Sequence, residues 1–400
     1  MERVDLIRLL GAEPLLAEPR DVVVEAREPA VFIEKFAEAV AAGGTVFLAD
    51  PAWGQEERAQ FNVLVSKKAV DGARGWLCIP TGGSSGVIKL ARHDEETLSA
   101  AVNGFCGHFG VTRVNVLGVL PLHHVSGFMA WMRTVLTGGK YMSANWRSVE
   151  SGERPALPVG EGDWFLSLVP TQLQRLLGDL EAEDWLRGFR AIFVGGAPAW
   201  PALIEAGAQA RLPLAFSYGM TETAAMVTAL RPEEFLAGGK GSGVPLSHAR
   251  VTLGEEGRVV IESASLFFGY WPEMRAGGAW RTEDLGRFDE GGSLHVLGRR
   301  DALIITGGEK VDPAEVERVL RGTGQFADVA VIGVPDTQWG EAVVACYPAE
   351  FAPQDMEAVE RVLGSQLARF KHPKRYVAIA RWPRNAQGKV NRVELRRFAD

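Results

Sequence analysis

Cysteine is scarce in this chain. Cys78, Cys106 and Cys346 are the only three in 400 residues, and no two form a CxxC. That spacing excludes a disulfide framework and a cysteine-rich zinc site, and it fits a reducing cytoplasm. An excess of positive charge is also lacking. The formal net charge is −7, whereas a sequence-independent nucleic-acid binder needs a basic surface to displace counterions. Only the stretch from Arg369 to Arg397 is rich in Lys and Arg. No basic segment followed by an apolar one opens the chain, so no secretory signal is expected. One uncharged stretch, 114–132, carries Asn115, Pro121, His123 and His124, residues that are costly in lipid. It reads as a buried strand, loop and helix, without membrane insertion. There is no internal repeat and no low-complexity tract.

What is present points to an α/β protein. With 46% hydrophobic and 23% charged residues, the chain has enough apolar material for one large domain and a smaller one. Apolar runs alternate with segments of helical spacing, the pattern of mixed sheets packed with helices. Residues 45–49, 76–79, 114–120, 191–194 and 212–216 read as strands. Asp94 is placed to cap a helix whose apolar face is Leu98, Ala101, Val102, Phe105 and Phe109. A boundary near Gly298 divides a large N-terminal domain, 1–299, from a small C-terminal α/β domain, 300–400. The small domain opens with a strand at 303–305, a turn at Gly307 and Gly308, and a helix started by Asp312 as N-cap with Pro313 and Glu315 behind it. Strands at 329–334, 342–347 and 376–379 and a helix at 356–370 complete it.

Four segments carry chemistry. Residues 81–89, Thr-Gly-Gly-Ser-Ser-Gly-Val-Ile-Lys, follow an apolar strand. Glycines let backbone approach phosphate oxygens, hydroxyls donate to them and a lysine adds a point charge, although the same composition also suits a flexible connector. It is not a Walker A loop, because Leu90 follows the lysine. Residues 217–223, Ser-Tyr-Gly-Met-Thr-Glu-Thr, read as a polar loop in which a carboxylate beside hydroxyls can hold Mg²⁺; an ordinary turn is the alternative. Residues 281–286 place Asp284 as a ribose-diol acceptor or a turn residue. Residues 384–392 place Lys389 on a glycine-bearing loop between strand and helix, where its cation can neutralise developing charge or simply be solvated.

Their order along the chain, from about Trp76 to the end, resembles the adenylate-forming superfamily of acyl-CoA synthetases, luciferases and adenylation domains. The matching strings are TGGSSG, YGMTE, TEDLG, GRRDALIITGGEKV with PAEVE, and NAQGK. The resemblance implies ATP, Mg²⁺ and CoA as reactants and metal, a small-molecule carboxylic acid as substrate, and mobility of the C-terminal domain. It implies that Thr81, Gly82, Gly83, Ser84, Ser85, Gly86 and Lys89 hold the ATP phosphates. Gly196, Ala197 and Pro198 would border the adenine, with Tyr218, Gly219 and Met220 flanking it. Thr221 would touch the α-phosphate, Glu222 would ligate Mg²⁺, and Asp284 with Arg299 would bind the ribose. Asp301 matches the hinge, Gly307 and Gly308 the CoA tunnel, and Lys389 the lysine required for adenylation.

Within the superfamily, IPTGGSSG and PLHHVSGFMAWMRT look like the o-succinylbenzoate–CoA ligase family of menaquinone biosynthesis, which acts on an aromatic dicarboxylate. His124 and Ser126 would then line the acyl pocket, and Arg133 would either support the distal carboxylate or make a structural ion pair. The segment before Thr81 is shorter than the family's usual one, implying a trimmed N-terminal lobe. A ligase for another aryl or short acyl acid, an enzyme that loads a carrier protein, and a non-catalytic nucleotide-binding module remain alternatives. A homodimer is compatible with all of them.

Overall fold

The computed structural model describes residues 2–13, 18–70, 73–81, 87–158, 160, 162–196, 199–384 and 390–399, without the side chains of Asp301 and Val393. These residues form four sheets. In the first, Arg20–Glu25, Gly43–Ala49 and Leu77–Thr81 run parallel and Lys89–His93 returns antiparallel. The second is seven-stranded. Tyr141–Ser143, Asn115–Gly118, Trp164–Leu168, Ala191–Val194 and Leu214–Met220 lie parallel, and Ala225–Ala229 and Val244–Pro245 extend it antiparallel. The third is an antiparallel meander over Ala249–Leu253, Arg258–Ser263, Trp280–Phe288 and Leu294–Arg299. The fourth uses only strands after residue 303. The expected mixed-sheet α/β class is what the chain adopts.

Helices seal these sheets where the sequence periodicity puts apolar side chains. The helix Glu95–Phe109 buries Leu98, Ala101, Val102, Phe105 and Phe109. Asp94 caps it, accepting from the backbone N–H groups of Glu96 and Thr97, and Gly110 ends it in the left-handed conformation that a helix C-terminus favours. Phe105 and Phe109 meet Phe165 and Phe193 of the seven-stranded sheet in an aromatic cluster. Each large side chain so buried contributes roughly 1.5–3 kcal/mol. The uncharged stretch 114–132 is a strand, a loop and the start of the helix Val125–Thr137. No helix among the described residues is long and apolar enough to cross a membrane.

Two local expectations are corrected. The polar segment 217–223 is not a loop throughout. Ser217 to Met220 continue the strand Leu214–Met220, because Ala225–Ala229 folds back and pairs Ala225 with Met220 and Ala229 with Ser217. Only Thr221–Thr223 forms a turn. In the C-terminal sheet, the Gly307–Gly308 turn leads into a short return strand, Glu309–Val311, before the helix Pro313–Gly322 begins. Both glycines have positive φ, 58° and 84°, as a two-residue hairpin turn requires. Asp312 caps that helix as expected, accepting from the Ala314 N–H.

Candidate active site

The ends of several strands bring the motif residues together. Thr81 closes the strand Leu77–Thr81 and pairs across the hairpin with Lys89, the first residue of the returning strand. The residues on either side of the segment 82–88 are therefore held side by side. Gly82, Gly83, Ser84, Ser85 and Gly86 lie outside the described residues. Lys89 Nζ stands 5.1 Å from the centre of the Tyr270 ring, a cation over a π face.

Tyr270 links that lysine to the expected magnesium ligand. Its hydroxyl donates to Glu222 Oε1 at 2.5 Å. Burial, then the nearby Glu222 charge and this hydrogen bond, push the phenol well above its ordinary range, so it remains a donor at neutral pH. The bond fixes the carboxylate's direction while leaving acceptor capacity for a hard cation. Tyr270 was not singled out by the sequence, where it sits in the aromatic run 267–271. Tyr270→Phe is expected to raise the magnesium concentration needed for half-maximal activity by about tenfold, the low end of a charge-assisted hydrogen bond. A magnesium titration checks this; an unchanged requirement would remove Tyr270 from the site.

A second constellation is built by register. Asp284 on Trp280–Phe288 is the direct cross-strand partner of Arg299, and Arg299 Nη1 lies 3.4 Å from Asp284 Oδ1. The Tyr218 hydroxyl donates to Asp284 Oδ2 at 2.6 Å. Burial, followed by the Asp284 charge, raises the Tyr218 phenol above its ordinary range. The Arg299 charge acts against the rise in both phenols. The Lys89–Tyr270–Glu222 and Tyr218–Asp284–Arg299 groups are joined through the segment 218–222 and together carry two cations, two carboxylates and two hydroxyls. That is a donor and acceptor set for a magnesium nucleotide.

The turn carrying Thr221 and Glu222 is held in a strained shape. Ala224 and Ala225 have φ of 48° and 82°, conformations that cost a non-glycine residue about 1–2 kcal/mol. Gly219 faces this hairpin so closely that a Cβ would lie 2.0 Å from the Ala225 carbonyl oxygen, which explains the glycine of YGMTE. Beneath it His93 Nε2 meets the Thr221 carbonyl at 2.8 Å. A carbonyl only accepts, so Nε2 carries the proton. Burial drops the His93 pKa from 6.5 to about 4, although the Thr221 bond opposes the fall. Below pH 6.5 the unfolded chain therefore takes up a proton that the native state refuses until about pH 4. Folding stability is expected to decline as pH falls through that window, by up to about 1.4 kcal/mol per pH unit. Thermal melting at pH 7.5 and 5 checks this. His93→Gln, which keeps a donor toward Thr221 but does not titrate, should make the decline shallower.

On the acyl side, His124 is the N-cap residue of Val125–Thr137 and is buried, whereas Ser126 in its first turn is exposed. Arg133, two turns further, is 4% exposed. Its guanidinium lies 4.3 Å from the Phe105 ring centre and 6.0 Å from that of Phe193. No carboxylate among the described residues pairs with it, and its Nε has no hydrogen-bond partner there. Burial lowers its pKa to about 10, which leaves it charged at pH 7. Beside His124, Asp50 receives His123 Nε2 at 3.2 Å and faces His124 Nε2 at 3.5 Å. Burial works against the Asp50 charge, but the His123 hydrogen bond, the Ala52 N–H and the two adjacent imidazoles outweigh it and hold the carboxyl below its ordinary range.

The remaining expected residues divide. Gly196 follows the strand Ala191–Val194 with φ of 82°, and Met220 ends its own strand half-buried. Gly307 and Gly308 lie at the hairpin of the C-terminal sheet. Ala197, Pro198, Lys389 and the Asp301 side chain lie outside the described residues.

Residues 15–271 match the AMP-binding enzyme family and residues 315–389 match the AMP-binding enzyme C-terminal domain. A 2-succinylbenzoate–CoA ligase of Listeria monocytogenes is 31% identical over 331 residues, covering 79% of this chain and 68% of the relative. One from Geobacillus kaustophilus is 35% identical over 300 residues, 70% of this chain and 60% of the relative. Among solved structures, o-succinylbenzoate CoA synthetase from Bacillus subtilis, in complex with its acyl-adenylate intermediate, has a TM-score of 0.76 at 22% identity, covering 98% of this chain and 91% of that one. ATP-bound MatB from Rhodopseudomonas palustris has a TM-score of 0.79 at 24% identity, covering 99% and 92%. These two share the fold. With the first family matching more than half of its length, the chain belongs to the AMP-binding, adenylate-forming enzymes.

Proposed function

We propose that the chain is an ATP-dependent carboxylate–CoA ligase and that its acid is 2-succinylbenzoate. The observation that carries this reading is the pair of hydrogen-bonded groups, Lys89–Tyr270–Glu222 and Tyr218–Asp284–Arg299, which the segment 218–222 joins. A carboxylate repels nucleophiles by its own charge. One of its oxygens attacks the α-phosphorus of ATP, the bond to the β-phosphate bridging oxygen breaks, and pyrophosphate leaves. The thiol sulfur of CoA then attacks the acyl carbon, AMP departs with the electron pair, and the thiol proton is released.

The residues divide this work. Thr81 and Lys89 hold the phosphates together with residues 82–86. Glu222, aimed by Tyr270, would hold Mg²⁺, which would supply neutralisation of the crowded phosphate charge. Asp284, fixed between Tyr218 and Arg299, accepts from the ribose hydroxyls. Thr221 touches the α-phosphate, and Gly196, Ala197 and Pro198 border the base. Lys389 completes the charge around the reacting phosphorus. The domains meet at 299/300, with Asp301 as hinge. Rotation presents Lys389 first and the Gly307–Gly308 hairpin second, so one site serves two reactions. The ion pairs of Arg300 with Glu283 at 3.2 Å and Glu256 at 3.9 Å lie at this joint and would re-form with each turn. The reaction belongs in the cytoplasm, where ATP and CoA are supplied.

Arg133 supports the choice of a dicarboxylate. A buried cation that pairs with no carboxylate among the described residues is costly unless an anion joins it, and a distal benzoate carboxylate would supply that anion. Arg133→Ala is expected to lower kcat/KM for 2-succinylbenzoate about 10–100-fold, the worth of charge-assisted hydrogen bonds. Activity with benzoate, which has no second carboxylate, should fall much less. Equal losses would show that Arg133 only packs the core, and Arg133→Met, which preserves volume, separates charge from packing.

The reading as a whole is tested by acyl-CoA formation across a panel of aryl and short acyl acids, with CoA or a phosphopantetheinyl carrier protein as acceptor. The expected result is thioester with free CoA and a preference for 2-succinylbenzoate. Preference for another acid, or for the carrier protein, would overturn the assignment of substrate or acceptor.

A further inference from the structure

We propose that Asp50, His123 and His124 form a binding site for a divalent transition-metal ion of the zinc class, distinct from the magnesium position at Glu222. The three side chains are 1%, 6% and 8% exposed, and one ligand atom from each lies within 4.8 Å of the others. His123 Nε2 is 3.2 Å from Asp50 Oδ1, and His124 Nε2 is 3.5 Å from Asp50 Oδ2. Donors about 2.0–2.1 Å from a tetrahedral zinc stand roughly 3.3 Å apart, so these separations already suit a shared ion.

Hydrogen bonding alone accounts for only part of the arrangement. It satisfies Asp50 Oδ1 through the Ala52 N–H at 2.8 Å and His123 Nε2 at 3.2 Å, while Asp50 Oδ2 has no hydrogen-bond partner among the described residues. A buried carboxylate oxygen left so is costly, and a coordinated cation answers it. The imidazole rings, 4.3 Å apart and inclined by 67°, aim two nitrogens at one carboxylate. Two imidazoles and a carboxylate select zinc-class ions over Mg²⁺, which prefers oxygen donors and keeps its waters. The neighbouring positive end of the helix Val125–Thr137 opposes any cation here, so binding requires direct coordination by all three ligands to outweigh it. Three protein ligands leave a fourth position open for an oxygen donor.

The location is not peripheral. Asp50 follows the strand Gly43–Ala49, whose partners Val46↔Leu77 and Phe47↔Cys78 set Asp50 level with Thr81 by the same offset. Leu122, next to His123, shares a core cluster with Leu48, Ile79 and Ala224. The cluster therefore sits at the strand ends where the phosphate loop and the Glu222 turn begin.

Co²⁺ is the probe, because its visible ligand-field absorption reports tetrahedral nitrogen and oxygen ligation. Metal-stripped full-length protein is expected to bind one Co²⁺ with this absorption, to lose it to one equivalent of Zn²⁺, and to keep it in Mg²⁺–ATP. Asp50→Asn and His123→Asn should each weaken Co²⁺ binding more than about 100-fold, beyond the 10–100-fold of an outer-shell partner. His295→Asn, at the separate His295–Asp289 pair, should leave it unchanged. Absence of the absorption in the wild type, or its persistence in Asp50→Asn, would overturn the site. Should the variants fail to fold, the wild type decides alone: Zn²⁺ must raise its melting temperature in proportion to occupancy, and no rise contradicts the proposal.

Discussion

Lys389→Ala is expected to lose acid-dependent pyrophosphate release by at least 10²–10³-fold, the effect associated with one preorganised electrostatic group, while retaining most of its ability to convert supplied acyl-adenylate and CoA to thioester. The asymmetry follows from where charge develops. In the first half-reaction an anionic oxygen enters an already anionic phosphate, and a lysine cation brought against it acts mainly in the transition state. In the second, a neutral carbonyl is attacked and AMP leaves with its charge already solvated by the nucleotide site. If one domain orientation places Lys389 and another places the Gly307–Gly308 hairpin, removing the lysine should spare the second step. Rapid-quench measurement of each half-reaction in a variant with wild-type melting behaviour checks this. Equal failure of both steps would mean that one arrangement serves the whole reaction.

Asp284→Ala should lower kcat/KM for ATP about 10²-fold, chiefly through KM. Asp284 accepts from the Tyr218 hydroxyl at 2.6 Å and faces Arg299 at 3.4 Å, so the substitution strips the acceptor from a nucleotide hydroxyl and orphans a buried phenol as well. Hydrogen bonds to charged groups contribute roughly 1.5–3 kcal/mol each. The ribose is remote from the reacting phosphorus, and the lost interaction exists before the transition state, which moves KM more than kcat. Tyr218→Phe keeps the carboxylate and loses only its orienting hydroxyl, so a smaller loss, below about tenfold, is expected. Steady-state kinetics with varied ATP distinguish these outcomes; a pure kcat effect at Asp284 would place it nearer the chemistry than the ribose.

Much of this was legible in the residues. Strand ends, helix caps and glycine turns are local, so Asp94, Asp312 and the Gly307–Gly308 turn could be read before any tertiary contact was known. Thr81, Lys89, Glu222 and Asp284 stood out because their residue types occur in contiguous strings. The parts that escaped depend on distant partners. Tyr270 reads as one more aromatic in 267–271, and only the fold carries its hydroxyl to Glu222, 48 residues away. His93 was not singled out, and its bond crosses 128 residues to the Thr221 carbonyl. Ser217 to Met220 looked like a loop because polar and glycine residues discourage a strand. Pairing with Ala225–Ala229 supplies the hydrogen bonds that outweigh that preference. Asp50 gave no signal at all, since its meaning arises only beside His123 and His124.

Adenylation, the reaction of a carboxylic acid with ATP beside Lys89, Glu222 and Asp284, is the central step proposed for this chain. ATP–pyrophosphate exchange, measured without CoA, observes that step alone. That chemistry predicts exchange that requires both Mg²⁺ and an acid, is fastest with 2-succinylbenzoate, and collapses in Lys389→Ala. Folded, magnesium-replete protein that exchanges no label with any acid would contradict it.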